Sequence, residues 1–279
     1  MTATDQVVAG TAPAGAVGGE PAPRMRLVLA DYLTLGNALC GFMAVWHLAA
    51  AQVGQIAAGI SGPLGRSELA VAVILLLLAA AFDLFDGRVA RKLGGSGMGA
   101  ELDNLADVIS FGFAPAFFVV TWGTLGPEDR SVLPLVAAAA VLLAVVVRLA
   151  RFSCQTPAND NFTGMPCPFG AMAVITVVLL DPPLYVGIGA VLLIAWLMVS
   201  QVEYPKPRGR TAYMVLAWIM VSVACLAGWA MDAPMADALL YAGAVPVLLL
   251  ILLVPFYVLA TRQQHRRDEE EALRAVGES

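Results

Sequence analysis

Apolar stretches long enough to cross a bilayer recur along this chain, and they constrain its fold more than any other feature. A spanning helix needs about 20 mostly apolar residues. Such stretches, bounded by Gly, Pro or charge, fall at residues 27–51, 68–91, 99–123, 131–153, 167–181, 184–201, 211–230 and 236–261. They predict an all-α integral membrane protein with about eight transmembrane helices, the fifth and sixth short and joined through Asp181-Pro182-Pro183. No stretch sustains an apolar–polar alternation, which argues against a membrane β-barrel. Of the 279 residues, 59% are hydrophobic and only 13% charged, whereas soluble domains hold about 25% charged residues. Such a chain cannot cover a water-soluble globule, and a soluble enzyme is excluded. The net charge of -5 argues against a nucleic-acid partner, because phosphate backbones attract basic surfaces.

Charge also orients the spans. With the N-terminus inside, every one of the 16 Lys and Arg residues except Arg66 and Arg130 falls on the cytoplasmic side, as the positive-inside rule requires. Removing one span would scramble that partition, so both termini are expected in the cytoplasm. Residues 1–25, rich in Ala, Gly and Pro, lack the basic start and apolar run of a signal peptide. They read as a disordered cytoplasmic arm. Residues 263–279 read as a charged cytoplasmic tail. Cys40, Cys154, Cys167 and Cys225 show no C-x-x-C spacing and no nearby His, so zinc and redox motifs fail.

The chemistry lies in four aspartates. The second span runs without charge from Leu69 to Phe82 and then reads Asp83-Leu84-Phe85-Asp86-Gly87-Arg88-Val89-Ala90-Arg91. That uncharged run advances roughly 21 Å at about 1.5 Å per residue, which leaves Asp83 inside the cytoplasmic third of the hydrocarbon. Asp83 and Asp86 are i,i+3; Asp103 and Asp107, on the third span, are i,i+4. Each pair shares a helical face, and the short link from Lys92 to Met98 makes the two helices antiparallel neighbours. A mid-membrane carboxylate costs about 2.5–3.5 kcal/mol. Four uncompensated ones approach the whole stability of a typical fold, about 5–15 kcal/mol. Oxygen ligands without His or thiolate favour hard cations, Mg²⁺ or Mn²⁺, with Ca²⁺ also admissible. Four carboxylates suffice for two ions, and two-metal sites act on phosphoryl oxygens. Acids that merely cap helix ends are the plainer alternative, but two face-matched pairs are hard to explain that way.

The residues between the pairs suit phosphate. Gly87 and Ala90 permit close approach, and Arg91 can grip phosphate with two N–H groups. Gly94-Gly95-Ser96-Gly97 presents backbone N–H groups at a helix start, although a flexible hairpin explains that loop as well. On the first span Asp31, Thr34 and Asn37 recur at i, i+3, i+6. Asp31 and Thr34 read as an ordinary interfacial helix start, whereas the deeper Asn37 is expected at the diphosphate. His47 reads as a packing or interfacial residue.

At these residues the sequence resembles the CDP-alcohol phosphatidyltransferase family, whose motif D-x2-D-G-x2-A-R-x7/8-G-x3-D-x3-D is matched in full by Asp83, Asp86, Gly87, Ala90, Arg91, Gly99, Asp103 and Asp107. Beyond the motif the chain is similar to the serine-using branch, through Leu33-Thr34-Leu35-Gly36-Asn37, the stretch from Asp107 to Pro115, Arg148 to Phe152, and Phe162-Thr163-Gly164-Met165-Pro166. Cys167 departs from the small or hydroxyl residue expected after that Gly-x-Pro turn.

The resemblance implies a six-helix catalytic core at 26–205, with residues 206–262 supplying two additional C-terminal helices. It also implies two divalent ions, Mg²⁺ or Mn²⁺, held by Asp83, Asp86, Asp103 and Asp107, with Asp107 as general base. CDP-diacylglycerol would be bound by Asn37, Gly87, Ala90, Arg91, Ser96 and Gly99. Its phosphatidyl group would pass to the hydroxyl of L-serine. Arg148 and Arg151 read equally as positive-inside anchors and as clamps for the serine carboxylate, and Thr163 as a residue shaping the acceptor pocket. The expected setting is the bilayer of a bacterial inner membrane, with the active site facing the cytoplasm and a homodimer as an open option. Other alcohol acceptors stay open: inositol or its phosphate, glycerol phosphate and choline. A metal or ion transporter predicts acids distributed through the membrane thickness, and a membrane prenyltransferase predicts acid motifs in two separated halves of the chain; neither matches this pattern.

Overall fold

The structure, a computed structural model, describes residues 26–60, 62–124, 132–154, 162–200, 203–204 and 210–249. The expected arm at 1–25, the tail at 263–279 and the eighth apolar stretch beyond Leu249 lie outside the described residues. The described chain is helical almost throughout. Helices α1 (Leu29–Ala57) and α2 (Arg66–Leu93) are followed by α3 (Gly99–Asp107). The latter runs through a π-helical segment, Val108–Phe113, into α4 (Ala114–Thr124). Then come α5 (Leu133–Cys154), α6 (Cys167–Leu179), α7 (Leu184–Val199) and α8 (Arg210–Ala230), and α9 (Ala236–Leu249). A short antiparallel pairing joins β1 (Phe162–Thr163) to β2 (Glu203–Tyr204).

Each expected apolar stretch carries helix. Among the described residues, four helical segments are long and apolar enough to cross a membrane: Leu29–Ala57, Arg66–Leu93, Gly99–Gly123 and Leu133–Cys154. The remaining apolar helices are shorter, at Cys167–Leu179, Leu184–Val199, Met220–Ala230 and Ala236–Leu249. This is the composition of a multi-pass membrane protein. Trp46, Leu78, Leu143 and Trp196 stand exposed on its outside, as side chains facing lipid tails do. The Gly99–Gly123 segment is the central one, with 61% of its most apolar stretch buried against 28% for α1 and α2.

Lipid tails are as apolar as leucine, so helices in a bilayer associate through close contact between small residues. Ala44, Ala72, Ala79, Ala114, Ala137 and Ala173 are fully buried where the helices meet. α1 lies along α2, α4 packs against α5 and α6, and α5 packs against α7. At its C-terminus α2 stops on Gly94, whose N–H donates to the Ala90 carbonyl at 3.0 Å with φ +90°. Glycine reaches that conformation without a Cβ clash. The chain thereby turns within Gly94–Met98 and sends α3 onto α1; the short link predicts α3 as a direct neighbour of α2, but the two pack on α1 and scarcely on each other.

The far end of α2 is held differently. Arg66 donates to the Trp229 carbonyl at 2.8 Å and stacks over the Trp229 ring, 5.4 Å from its centroid. It also lies 3.4 Å from the Asp232 carboxylate and 3.6 Å from that of Asp237. These contacts fasten the α8–α9 turn to the start of α2.

Candidate active site

α2 and α3 bring three of the four motif aspartates into one cluster. A carboxylate oxygen from each of Asp83, Asp103 and Asp107 lies within 4.8 Å of the others. At an effective dielectric near 20, each like-charged pair at that spacing repels by about 3.5 kcal/mol. Among the described residues no basic side chain forms an ion pair with any of them. Asp103 Oδ1 is buried with no hydrogen-bond partner among the described residues. An all-oxygen donor set with an orphaned buried oxygen fits a hard divalent cation. Asp86 sits beside the cluster, 6% exposed, and its Oδ2 accepts a 2.8 Å hydrogen bond from Thr34 Oγ1.

α1 supplies the walls. Asp31 and Thr34 are not the ordinary interfacial helix start that their sequence suggests: both are buried, at 1% and 3% exposure. Asp31 accepts from the Val28 N–H at 2.9 Å and from Ser96 Oγ at 2.9 Å. It therefore caps its own helix backwards and fastens the Gly94–Met98 link to α1. Asn37, expected at the diphosphate, donates from Nδ2 to Asp107 Oδ1 at 3.2 Å. The i, i+3, i+6 spacing of these three residues was the available signal, since it places them on one side of α1. The direction of that side is fixed only by packing against α2 and α3.

Next to the acids lies a cavity of about 170 Å³. Asp31, Thr34, Asp86, Gly87, Ala90, Gly95, Gly99 and Asp103 line it. The structure thus brings Gly87, Ala90 and Gly99 together at one opening, with Ser96 tied to its wall through Asp31. Arg91 stands exposed in the last turn of α2.

The expected acceptor residues are less uniform. Arg148 lies beside the Gly164 turn, where φ is +77° and a Cβ would stand 2.6 Å from the Met198 carbonyl and 2.9 Å from Arg148 Nη1. Only glycine fits there. The Arg148 guanidinium also donates to the thiol of Cys167, which is buried at the start of α6. Arg151 instead donates from Nη1 to the Val199 carbonyl at 2.9 Å, tying the end of α5 to that of α7. Thr163 pairs through its backbone with Glu203; its side chain lies outside the described set.

This geometry places a cluster of acids beside a small-residue opening, on the two helices that carry the full eight-position motif. Residues 27–221 match the family model for CDP-alcohol phosphatidyltransferase. The chain belongs to the CDP-alcohol phosphatidyltransferase family. Among its curated relatives in this family, an archaetidylserine synthase of Methanothermobacter thermautotrophicus is 33% identical over 192 residues, covering 67% of this chain and 73% of that protein. A protein of Methanocaldococcus jannaschii named CDP-diacylglycerol–serine O-phosphatidyltransferase is 32% identical over 184 residues, covering 66% and 76%. Its namesake in Bacillus subtilis is 30% identical over 174 residues, covering 62% and 87%. The family match spans α1 to α7 in full and reaches into α8.

Proposed function

We propose that this chain transfers the phosphatidyl group of CDP-diacylglycerol to the hydroxyl of L-serine, releasing phosphatidylserine and CMP. One observation carries the reading: three motif carboxylates converge within 4.8 Å in a chain of this family. The names of the relatives support serine as acceptor. In this reading residues 26–205 form the catalytic domain, 206–262 add two helices, and eight spans cross a bacterial inner membrane with the site on the cytoplasmic side.

Asp83, Asp86, Asp103 and Asp107 would hold two divalent ions, Mg²⁺ or Mn²⁺. Such ions neutralise charge on phosphoryl oxygens and steady the leaving phosphate. The remaining work belongs to the chain. Gly87, Ala90 and Gly99 leave room for the diphosphate, with Ser96 and Arg91 at its edge. Arg148 faces the acceptor carboxylate as a guanidinium with two parallel donors. Asp107 takes the proton of the serine hydroxyl on Oδ2, because Oδ1 already accepts from Asn37. The serine oxygen forms a bond to the lipid-side phosphorus, the bond from that phosphorus to the CMP oxygen breaks, and CMP departs with the electron pair. Orientation of hydroxyl and phosphorus supplies much of the acceleration, since well-placed reactants are worth about 7–11 kcal/mol.

The deciding experiment offers the purified full chain CDP-diacylglycerol with L-serine, inositol, inositol phosphate, glycerol phosphate or choline, and identifies the lipid product by mass. Phosphatidylserine is expected from serine alone. A different sole product would move the chain to another acceptor, and no CMP release with any alcohol would end the enzymatic reading.

A further inference from the structure

Asn37 has a second set of contacts that a diphosphate ligand would not need. It is fully buried, its Nδ2 donates to Asp107 Oδ1 at 3.2 Å, and its Oδ1 has no hydrogen-bond partner among the described residues. Its backbone carbonyl accepts a 2.8 Å hydrogen bond from Ser110 Oγ. Ser110 is itself fully buried and lies in the π-helical segment that begins immediately after Asp107. One turn further along α1, a Cβ on Gly41 would stand 2.7 Å from the Ser110 Cα. Backbone therefore meets backbone at this crossing, and nothing larger than glycine fits.

A π-helical segment inserts a residue into the helical register and is often found at functional sites. Here it starts at the residue after Asp107, and Asn37 holds the chain across that boundary, by its amide at Asp107 and by its backbone carbonyl within the π-helical segment. From this geometry we infer that Asn37 is the positioning residue for Asp107: it occupies Oδ1, fixes the carboxylate plane and turns Oδ2 toward the acceptor hydroxyl. The inference rests on the phosphatidyl-transfer reading above. It assigns Asn37 to the proton-transfer half of the reaction and not to nucleotide binding.

Substitution separates the two roles. Asn37→Ala and the similarly sized Asn37→Leu are compared with wild type in full-length protein, by kcat, by KM for serine and CDP-diacylglycerol, and by calorimetric titration of CDP with Mn²⁺ present. Asn37→Ser, which restores a short donor, is the rescue variant. The expected result is a kcat loss of about 30-fold or more in Ala and Leu, with CDP affinity within threefold of wild type, and partial recovery of kcat in Ser. Retained CDP affinity also reports that the variants fold. CDP affinity falling in parallel with kcat would overturn the inference, as would wild-type kcat in Asn37→Leu. Wild-type protein that releases no CMP would instead sink the underlying reaction, which keeps the two failures distinct.

Discussion

The two ends of the α1–α2 pair handle charge in opposite ways. At one end Arg66 meets Asp232 and Asp237, whose side chains are 86% and 88% exposed, and a tryptophan ring completes the contact. Opposite charges pair in water, and such pairs contribute about 0–1 kcal/mol each. At the other end Asp83, Asp103 and Asp107 crowd together with like charge, half-buried or buried, and without an ion-pair partner among the described residues. The first arrangement is what a fold uses to fasten a turn. The second works against the fold unless a cation joins it, and groups that cost stability in this way mark a site kept for chemistry.

Three substitutions sharpen that contrast. The largest effect belongs to Asp103→Asn. In the proposed site Asp103 is a metal ligand, and losing one forfeits several kcal/mol of charge stabilisation, so CMP release should fall about 1,000-fold, about 1.4 kcal/mol being one factor of ten. Without added metal the same variant should melt above wild type, because one like charge is gone; a lower melting temperature there would mean that the acids stabilise the fold by themselves. Next comes Thr34→Val, which strips a buried donor from Asp86. Hydrogen bonds to charged groups are worth about 1.5–3 kcal/mol, and CMP release should drop by about tenfold or more; unchanged turnover would show that Thr34 merely packs. The smallest effect on turnover is expected from Arg66→Ala. Its melting temperature should fall by a few degrees, about what 1 kcal/mol produces, while CMP release stays within twofold. A large loss of activity at an unchanged melting temperature would erase the distinction between the two ends.

The sequence showed the acid cluster because spacing along a helix carries that information. Asp83 with Asp86 and Asp103 with Asp107 must share faces, and the short Gly-rich link keeps those faces near one another, although α2 and α3 each pack on α1 and hardly on one another. The apolar stretches showed the helices for the same reason. What α1 does was not readable in that way. Asp31 and Thr34 look like a wet helix start until the rotation of α1 against α2 is known, and that rotation depends on many small contacts, among them Gly41 on Ser110. The π-helical segment is equally silent, since Val108–Phe113 reads as continuous apolar helix. Arg66 read only as one of two outward basic residues; its bond partner Trp229 lies far along the chain. Arg151 likewise donates to the Val199 carbonyl, a distant contact that its position in the sequence does not show.

The most direct test of the central idea is a Mn²⁺ titration of the purified full chain followed by electron paramagnetic resonance, with Asp83→Asn and Asp103→Asn alongside. The wild-type protein should bind two ions saturably, and each variant should lose at least one. Absence of saturable Mn²⁺ binding, or variants that titrate like wild type, would contradict it.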